Sequence, residues 1–381
     1  MSQAHSRDSF RSWLPLWAGC IAAAAMMFAL SAGDSTNFAE TPKYLQTSSY
    51  FATHDGKPIH CSACKDAAEC IAGWKSRGGR PLALWFGNSQ LHAVNQLEQG
   101  DRNAPDLVAE RLRRRGADLL TFSQPNANLQ EHYVLFEYLL ARLPVRAIAV
   151  PLVFDDTREN GLRDEIALAL EDTATRRALK QSTIGNKIIT AIPAAPTGAA
   201  RDNLAGVRKT LQEHSETFLE TWLNEHSMLW QARPELRGRL FMWLYQFRNT
   251  ALNIKPSSVR HKIRGPYEDN MAALTALLNS AKSHDVGVLL YIAPIRNDVA
   301  IPYDPADYAQ FKLAAGDLAR TYGAKFVDLE HTVGATYWGY KDATDLTGQP
   351  EVDYMHFKAA GHHQLAEAIE PLFQSAMKSR R

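Results

Sequence analysis

LALWFGNSQL, residues 82–91, runs five apolar residues into Gly-Asn-Ser and then turns polar. A continuous apolar run of this length reads as a strand buried on both faces, the kind found in a parallel sheet covered by helices. Comparable runs recur at 145–154 (VRAIAVPLVF), 286–294 (VGVLLYIAP) and 324–329 (AKFVDL), with a weaker one at 117–123 (ADLLTFS). Helical patterns lie between them: APDLVAERLRRRG, LQEHYVLFEYLLARL and NMAALTALLNSAKSHD. Strands alternating with helices predict an α/β fold, a three-layer α/β/α sandwich around a parallel, flavodoxin-like sheet. In such sheets ligands bind beyond the carboxyl ends of the strands. Ser89 leaves the first strand at that edge, and a helical stretch from about Leu91 would aim backbone N–H groups toward the same place.

The chain has 381 residues, 45% of them hydrophobic, and a net charge of +1, which suits a globular core and gives no basic field for nucleic acid. Trp13 to Ala32, WLPLWAGCIAAAAMMFALSA, carries no charge. About 20 residues at about 1.5 Å each match a hydrocarbon core of roughly 30 Å. Arg7 and Arg11 precede it, so the positive flank stays in the cytoplasm and the remainder is expected outside. The run exceeds the core of a cleaved signal peptide, and a retained single-pass anchor over residues 1–33 in the cytoplasmic (inner) membrane is the favoured reading.

Residues 34–80 are polar and turn-rich and read as an extracytoplasmic stalk. They carry Cys61, Cys64 and Cys70. In an oxidising compartment two of the three would form a disulfide, with the pairing left open. The alternatives are a zinc site completed by His54 or His60, or a redox Cys-x-x-Cys. The catalytic domain is expected over 81–381, interrupted at about 155–266 by a mainly helical insertion. That block contains an aromatic series, Trp222, Trp230, Trp243, Tyr245 and Phe247, interleaved with Arg237, Arg239 and Arg248. It reads as the insertion's own core, a docking surface for a membrane or partner, or a sugar-stacking wall.

A serine needs a base, and the base needs an orienting carboxylate. Near the C-terminus stands DYMHFKAAGHHQLAEAI, with Asp353 and His356 three apart ahead of a helical pattern. A turn at that spacing can set the carboxylate beside one ring nitrogen and leave the other facing Ser89. His362 and His363 read as packing or solvated residues rather than metal ligands.

FGNSQ on a first strand together with DYMHFKAAGHHQLA before a last helix resembles the SGNH (GDSL-like) hydrolase superfamily, over roughly residues 80–375 apart from the insertion. The resemblance implies Ser89 as nucleophile, His356 as general base and Asp353 as its partner. It also implies a glycine and an asparagine as oxyanion donors. The chain departs from that pattern, with VPLVFDDTREN after the third strand. Asn126 and Asn128 in FSQPNANLQEHY are the candidates, and Asn126 is preferred beside the Ser89 N–H. With its single anchor, the architecture is similar to DltD-like and alginate-acetylation-like envelope proteins. Those carry an SGNH-type domain that works with a membrane-bound O-acyltransferase. The expected function is therefore extracytoplasmic (periplasmic) O-acyl transfer from an acyl donor onto an envelope glycan, with no metal or organic cofactor. The alternatives are a carbohydrate O-acetyl esterase and a non-catalytic scaffold binding glycan or partner.

Overall fold

The computed structural model describes residues 46–191 and 241–378. The expected membrane segment, together with Trp222, Trp230, Arg237 and Arg239, lies outside the described residues. Among these residues no helix is long and apolar enough to cross a membrane.

The chain divides into two units. The larger is built on six parallel strands: β1 (His60–Cys61), β2 (Leu82–Gly87), β3 (Asp118–Ser123), β4 (Val145–Leu152), β5 (Gly287–Ile292) and β6 (Lys325–Asp328), in the spatial order β6-β5-β4-β2-β3-β1. Every neighbouring pair in that order runs parallel. From β2 onward this is the flavodoxin-like order, with its switch point between β2 and β4.

Successive side chains of a strand point to opposite faces, and β2 shows why both of its faces are apolar. The Trp85 ring packs edge-on against Phe373 and donates its indole N–H to the Tyr291 hydroxyl at 3.0 Å. Its neighbour Phe86 packs against His132 and Phe136 on the other face. Helices α2 (Ala104–Arg114) and α6 (Ala359–Lys378) form one outer layer; α3 (Leu129–Leu140), α4 (Arg264–Ser283) and α5 (Pro305–Tyr322) belong to the other. Asn103, Asn128 and Asp304 cap α2, α3 and α5 by accepting backbone N–H bonds in their first turns.

β5 approaches α6 so closely that a Cβ on Gly287 would meet the Ala376 carbonyl oxygen at 2.1 Å. Backbone cannot give way there as a flexible side chain could. Gly287→Ala is expected to destabilise the domain by about 1–3 kcal/mol, read as a lower urea midpoint at unchanged slope.

The stalk expected over 34–80 is, from residue 46 onward, part of the domain. His60–Cys61 adds an edge strand beside β3, and α1 (Cys64–Ser76) buries Ala67, Cys70 and Trp74 in the common core. A two-residue strand carries too little periodicity to be seen in sequence. Cys61 and Cys70 form the disulfide and Cys64 stays free. Burial pushes the Cys64 thiol up to about 12, which makes it inert as a thiolate.

Of the expected insertion over about 155–266, residues 155–191 and 241–266 are described. The regular elements of residues 155–191 are all helical, joined by irregular turns, and Ile166, Leu170, Leu179, Ile184 and Ile188 enter the core. The smaller unit includes residues 241–254 and 344–348, joined by the Asn249 side-chain amide donating to the Thr344 carbonyl at 2.8 Å. Of the aromatic series, the described Trp243, Tyr245 and Phe247 are exposed rather than core residues: Trp243 is 44% and Phe247 50% exposed, their rings stacked at 5.3 Å.

Candidate active site

β2 ends at Gly87, where the sequence suggests a tight turn. Its φ is not positive; the Leu91 side chain lies over it, 2.4 Å from where a Cβ would stand, so any larger residue would have to displace Leu91. Asn88 follows in extended conformation and starts a single helical turn, Ser89–His92, by accepting the Gln90 N–H at 3.0 Å. Its amide nitrogen donates to Asp156 at 2.8 Å, just past the end of β4. One buried asparagine therefore ties together the two strands that flank the switch point. Burial pushes the Asp156 carboxyl well above its ordinary value.

The other half of the site comes from a hairpin, β7 (Trp338–Lys341) against β8 (Glu351–Phe357). In its register Trp338 faces Phe357 and Tyr340 faces Val352, so residues 353–356 bulge out opposite the single Gly339. The Asp353 carboxylate stabilises the bulge, one oxygen accepting the N–H groups of Met355 and His356 at 3.0 Å each. Its second oxygen takes His356 Nδ1–H at 3.0 Å. Burial alone would raise the Asp353 pKa; the His356 hydrogen bond and the two backbone N–H groups outweigh it and hold the carboxyl below its usual range. An ionised carboxylate only accepts, so the His356 proton is on Nδ1 and Nε2 is bare. That nitrogen lies 2.8 Å from Ser89 Oγ. The structure thus brings Ser89, His356 and Asp353 into one hydrogen-bonded line, with Ser89 half-buried and the His356 side chain 23% exposed.

Asn126 is not brought to this line. It sits in a left-handed turn, φ 53°, with an exposed side chain, and its carbonyl accepts from Arg163 at 2.7 Å. Asn128 is consumed as the cap of α3 and by donating to the Gly161 carbonyl. The expected fan of helix N–H groups shrinks as well, because Asn88 already takes those of Gln90 and Leu91. The Ser89 N–H remains as the backbone donor beside the Ser89 hydroxyl.

Gln90, which sequence reasoning passed over, is buried and bridges the two halves. Its amide nitrogen donates to the Pro294 carbonyl at 2.8 Å and to the Met355 carbonyl, inside the Asp353–His356 bulge, at 2.9 Å. Arg296 braces the same bulge through its backbone N–H to the Tyr354 carbonyl and its guanidinium to the Gly339 carbonyl. Misplacing an acid–base pair by about 1 Å costs on the order of 100-fold. Gln90→Leu is accordingly expected to lower kcat about 10- to 100-fold while KM changes little, measured by steady-state ester hydrolysis on protein whose melting curve shows it folded.

His362 is fully buried, accepting the Ala104 N–H at 3.2 Å and facing the Ala93 carbonyl at 3.3 Å, whereas His363 is exposed. His54 pairs with Asp55, and His60 turns away from the cysteines toward Ser123. Among the described residues, the ligand atoms of His261, Asp304 and Asp307 lie within 4.8 Å of one another. Asp304 is spent there on capping α5, and Asp307 accepts the Lys262 N–H.

No protein-family profile matches the chain. No curated protein sequence matches it either. Among solved structures it is similar to Axe2, an acetylxylan esterase from Geobacillus stearothermophilus, at 10% identity over 78% of this chain and 94% of that one, with a TM-score of 0.36. It is similar to LAE5, an alpha/beta hydrolase enzyme from the metagenome of Lake Arreo, Spain, at 10% identity over 78% and 97% of the two chains, with a TM-score of 0.37. TesA is similar at 12% identity over 77% and 99%, with a TM-score of 0.36.

Proposed function

We propose that the chain is an SGNH-type serine acyl-ester enzyme. The observation that carries this reading is the Ser89–His356–Asp353 line at the carboxyl edge of the sheet, with hydrogen bonds of 2.8 and 3.0 Å and the tautomer of His356 set by Asp353. Ser89 Oγ attacks the ester carbonyl while its proton passes to His356 Nε2, and the carbonyl electron pair moves onto oxygen. Collapse expels the alcohol, which takes the proton from Nε2, and leaves the acyl group on Ser89. A second hydroxyl then attacks with His356 again accepting the proton, and collapse restores Ser89.

Whether that hydroxyl is water or a glycan depends on how the site excludes solvent. The partly exposed His356 lets water reach the acyl-enzyme, which supports hydrolysis of carbohydrate O-acyl esters by the isolated chain. Transfer onto an envelope glycan rests on the apolar run at Trp13–Ala32 and calls for a partner, a membrane-bound O-acyltransferase, to deliver the acyl group and cover the site. The Cys61–Cys70 disulfide supports an extracytoplasmic location for either activity.

Incubating the purified full chain with p-nitrophenyl acetate tests the reading. Stoichiometric release of nitrophenol and acetate, dependent on Ser89, is expected. A burst of nitrophenol without acetate, relieved by adding an acetylatable oligosaccharide, would favour transfer. No release above the Ser89→Ala background would remove the reading.

A further inference from the structure

Next to the nucleophile turn the fold buries a second serine between two imidazoles. Ser123 closes β3 and pairs in register with Gly87. Its Oγ lies 2.6 Å from Nε2 of His60 and 2.7 Å from Nδ1 of His92. Phe51 stacks on His92 at 5.0 Å with the ring planes 15° apart, and meets His60 edge-on. At 2% exposure Ser123 is no nucleophile.

The protons fix the direction of this chain. Burial pushes both rings down, His92 to about 4 and His60 well below its ordinary value, so each is neutral near pH 7 and carries one N–H. Among the described residues His60 Nδ1 is buried with no hydrogen-bond partner. A proton on it would be an orphaned N–H, a rarer fault in proteins than a bare acceptor. The His60 proton therefore sits on Nε2 and is donated to Ser123 Oγ, and the one hydroxyl proton of Ser123 goes to His92 Nδ1. The remaining His92 proton is then on Nε2, which has no hydrogen-bond partner among the described residues.

His92 follows Ser89 by three positions in the same helical turn. Residues at that spacing share a face, and a helical side chain leans over the turn preceding it. The ring is also close enough to His356 to feel its charge. The Ser89 N–H is a single backbone donor beside the hydroxyl, and a growing oxyanion commonly takes two or more.

We propose that His92 is a further catalytic residue: a neutral imidazole, its tautomer set by the His60–Ser123 relay, whose Nε2–H donates to the acyl oxygen as negative charge develops. This rests on Ser89 being the nucleophile. His92 transfers no proton; it hydrogen-bonds the oxyanion, and its neutrality avoids setting a second cation beside His356 at the moment that ring takes the Ser89 proton.

The test uses the full chain carrying ¹⁵N-labelled histidine. Long-range ¹H–¹⁵N correlation at pH 7, with His92 assigned by its disappearance in His92→Gln, is expected to show His92 protonated on Nε2 in the wild type. Ser123→Ala is expected to shift that proton wholly or partly to Nδ1. In p-nitrophenyl acetate hydrolysis, His92→Phe is expected to lose about 10²-fold in kcat with KM little changed, and His92→Gln, which keeps an N–H donor, to stay within about tenfold of wild type. An Nδ1–H tautomer in the wild type overturns the proposal. So does a folded His92→Phe within about threefold of wild-type kcat. If His92→Phe does not fold, Ser123→Ala decides: a shifted tautomer with unchanged kcat overturns the role. Equal turnover by wild type and Ser89→Ala would overturn the nucleophile, and with it the donor's role, while the tautomer measured by NMR stands apart from that failure.

Discussion

Ser89→Ala is expected to lower ester turnover on the order of 10⁴–10⁶-fold, and His356→Ala by a similar factor, with the double variant little worse than either alone. The reason lies in the geometry: Ser89 Oγ hydrogen-bonds to a single base, His356 Nε2 at 2.8 Å, so removing either member removes the same step. Non-additivity distinguishes a shared step from two independent contributions. Asp353→Asn should cost about 10⁴-fold without unfolding the site, because an amide at that position can donate to Nδ1 and stabilise the wrong tautomer. The two backbone N–H groups that Asp353 Oδ1 accepts would still find an oxygen, so the bulge at 353–356 should survive. Steady-state kinetics with melting curves on the same samples checks all four variants.

Acidification is expected to weaken the fold steeply between about pH 6.5 and 4. Burial pushes His132 and His362 down to about 3 and His92 to about 4, against about 6.5 in an unfolded chain. Through that interval the unfolded state binds more protons than the folded one, so stability rises with pH and is lost as pH falls. Each such histidine removes about 1.4 kcal/mol per pH unit within its window. His60 acts in the same direction. The buried carboxyls of Asp156, Glu131 and Glu137 act oppositely, since their folded values are raised and protonation relieves them. They offset part of that loss. Urea titrations at pH 7 and pH 5 should show the midpoint falling by about 1–2 M. An unchanged midpoint would mean that these rings are not neutral in the folded protein.

The continuous apolar runs at 82–86, 145–154, 286–294 and 324–329 were legible as strands because a sheet covered on both faces needs no alternation. That Ser89, Asp353 and His356 would meet was legible because the proposed chemistry requires those residue types near strand ends. What sequence concealed is tertiary. The strand His60–Cys61 is too short to show a period, and three nearby cysteines allow three pairings until the fold sets Cys70 against Cys61. Gln90 and His92 look like ordinary turn residues until Met355 and Ser123 arrive from distant parts of the chain. The paired acids Asp155-Asp156 after a strand end were the one local sign of the Asn88 partner. Asn126 was chosen for its residue type and its place after the second strand, and neither shows the left-handed turn that exposes its side chain and turns its carbonyl to Arg163.

Intact-mass labelling of the full chain by a fluorophosphonate tests the activated serine most directly. The expected result is a single adduct on wild type, located on Ser89 by peptide mapping, absent in Ser89→Ala and strongly slowed in His356→Ala. A folded wild type that stays unlabelled, or an adduct that persists in Ser89→Ala, would contradict the assignment of Ser89 as nucleophile.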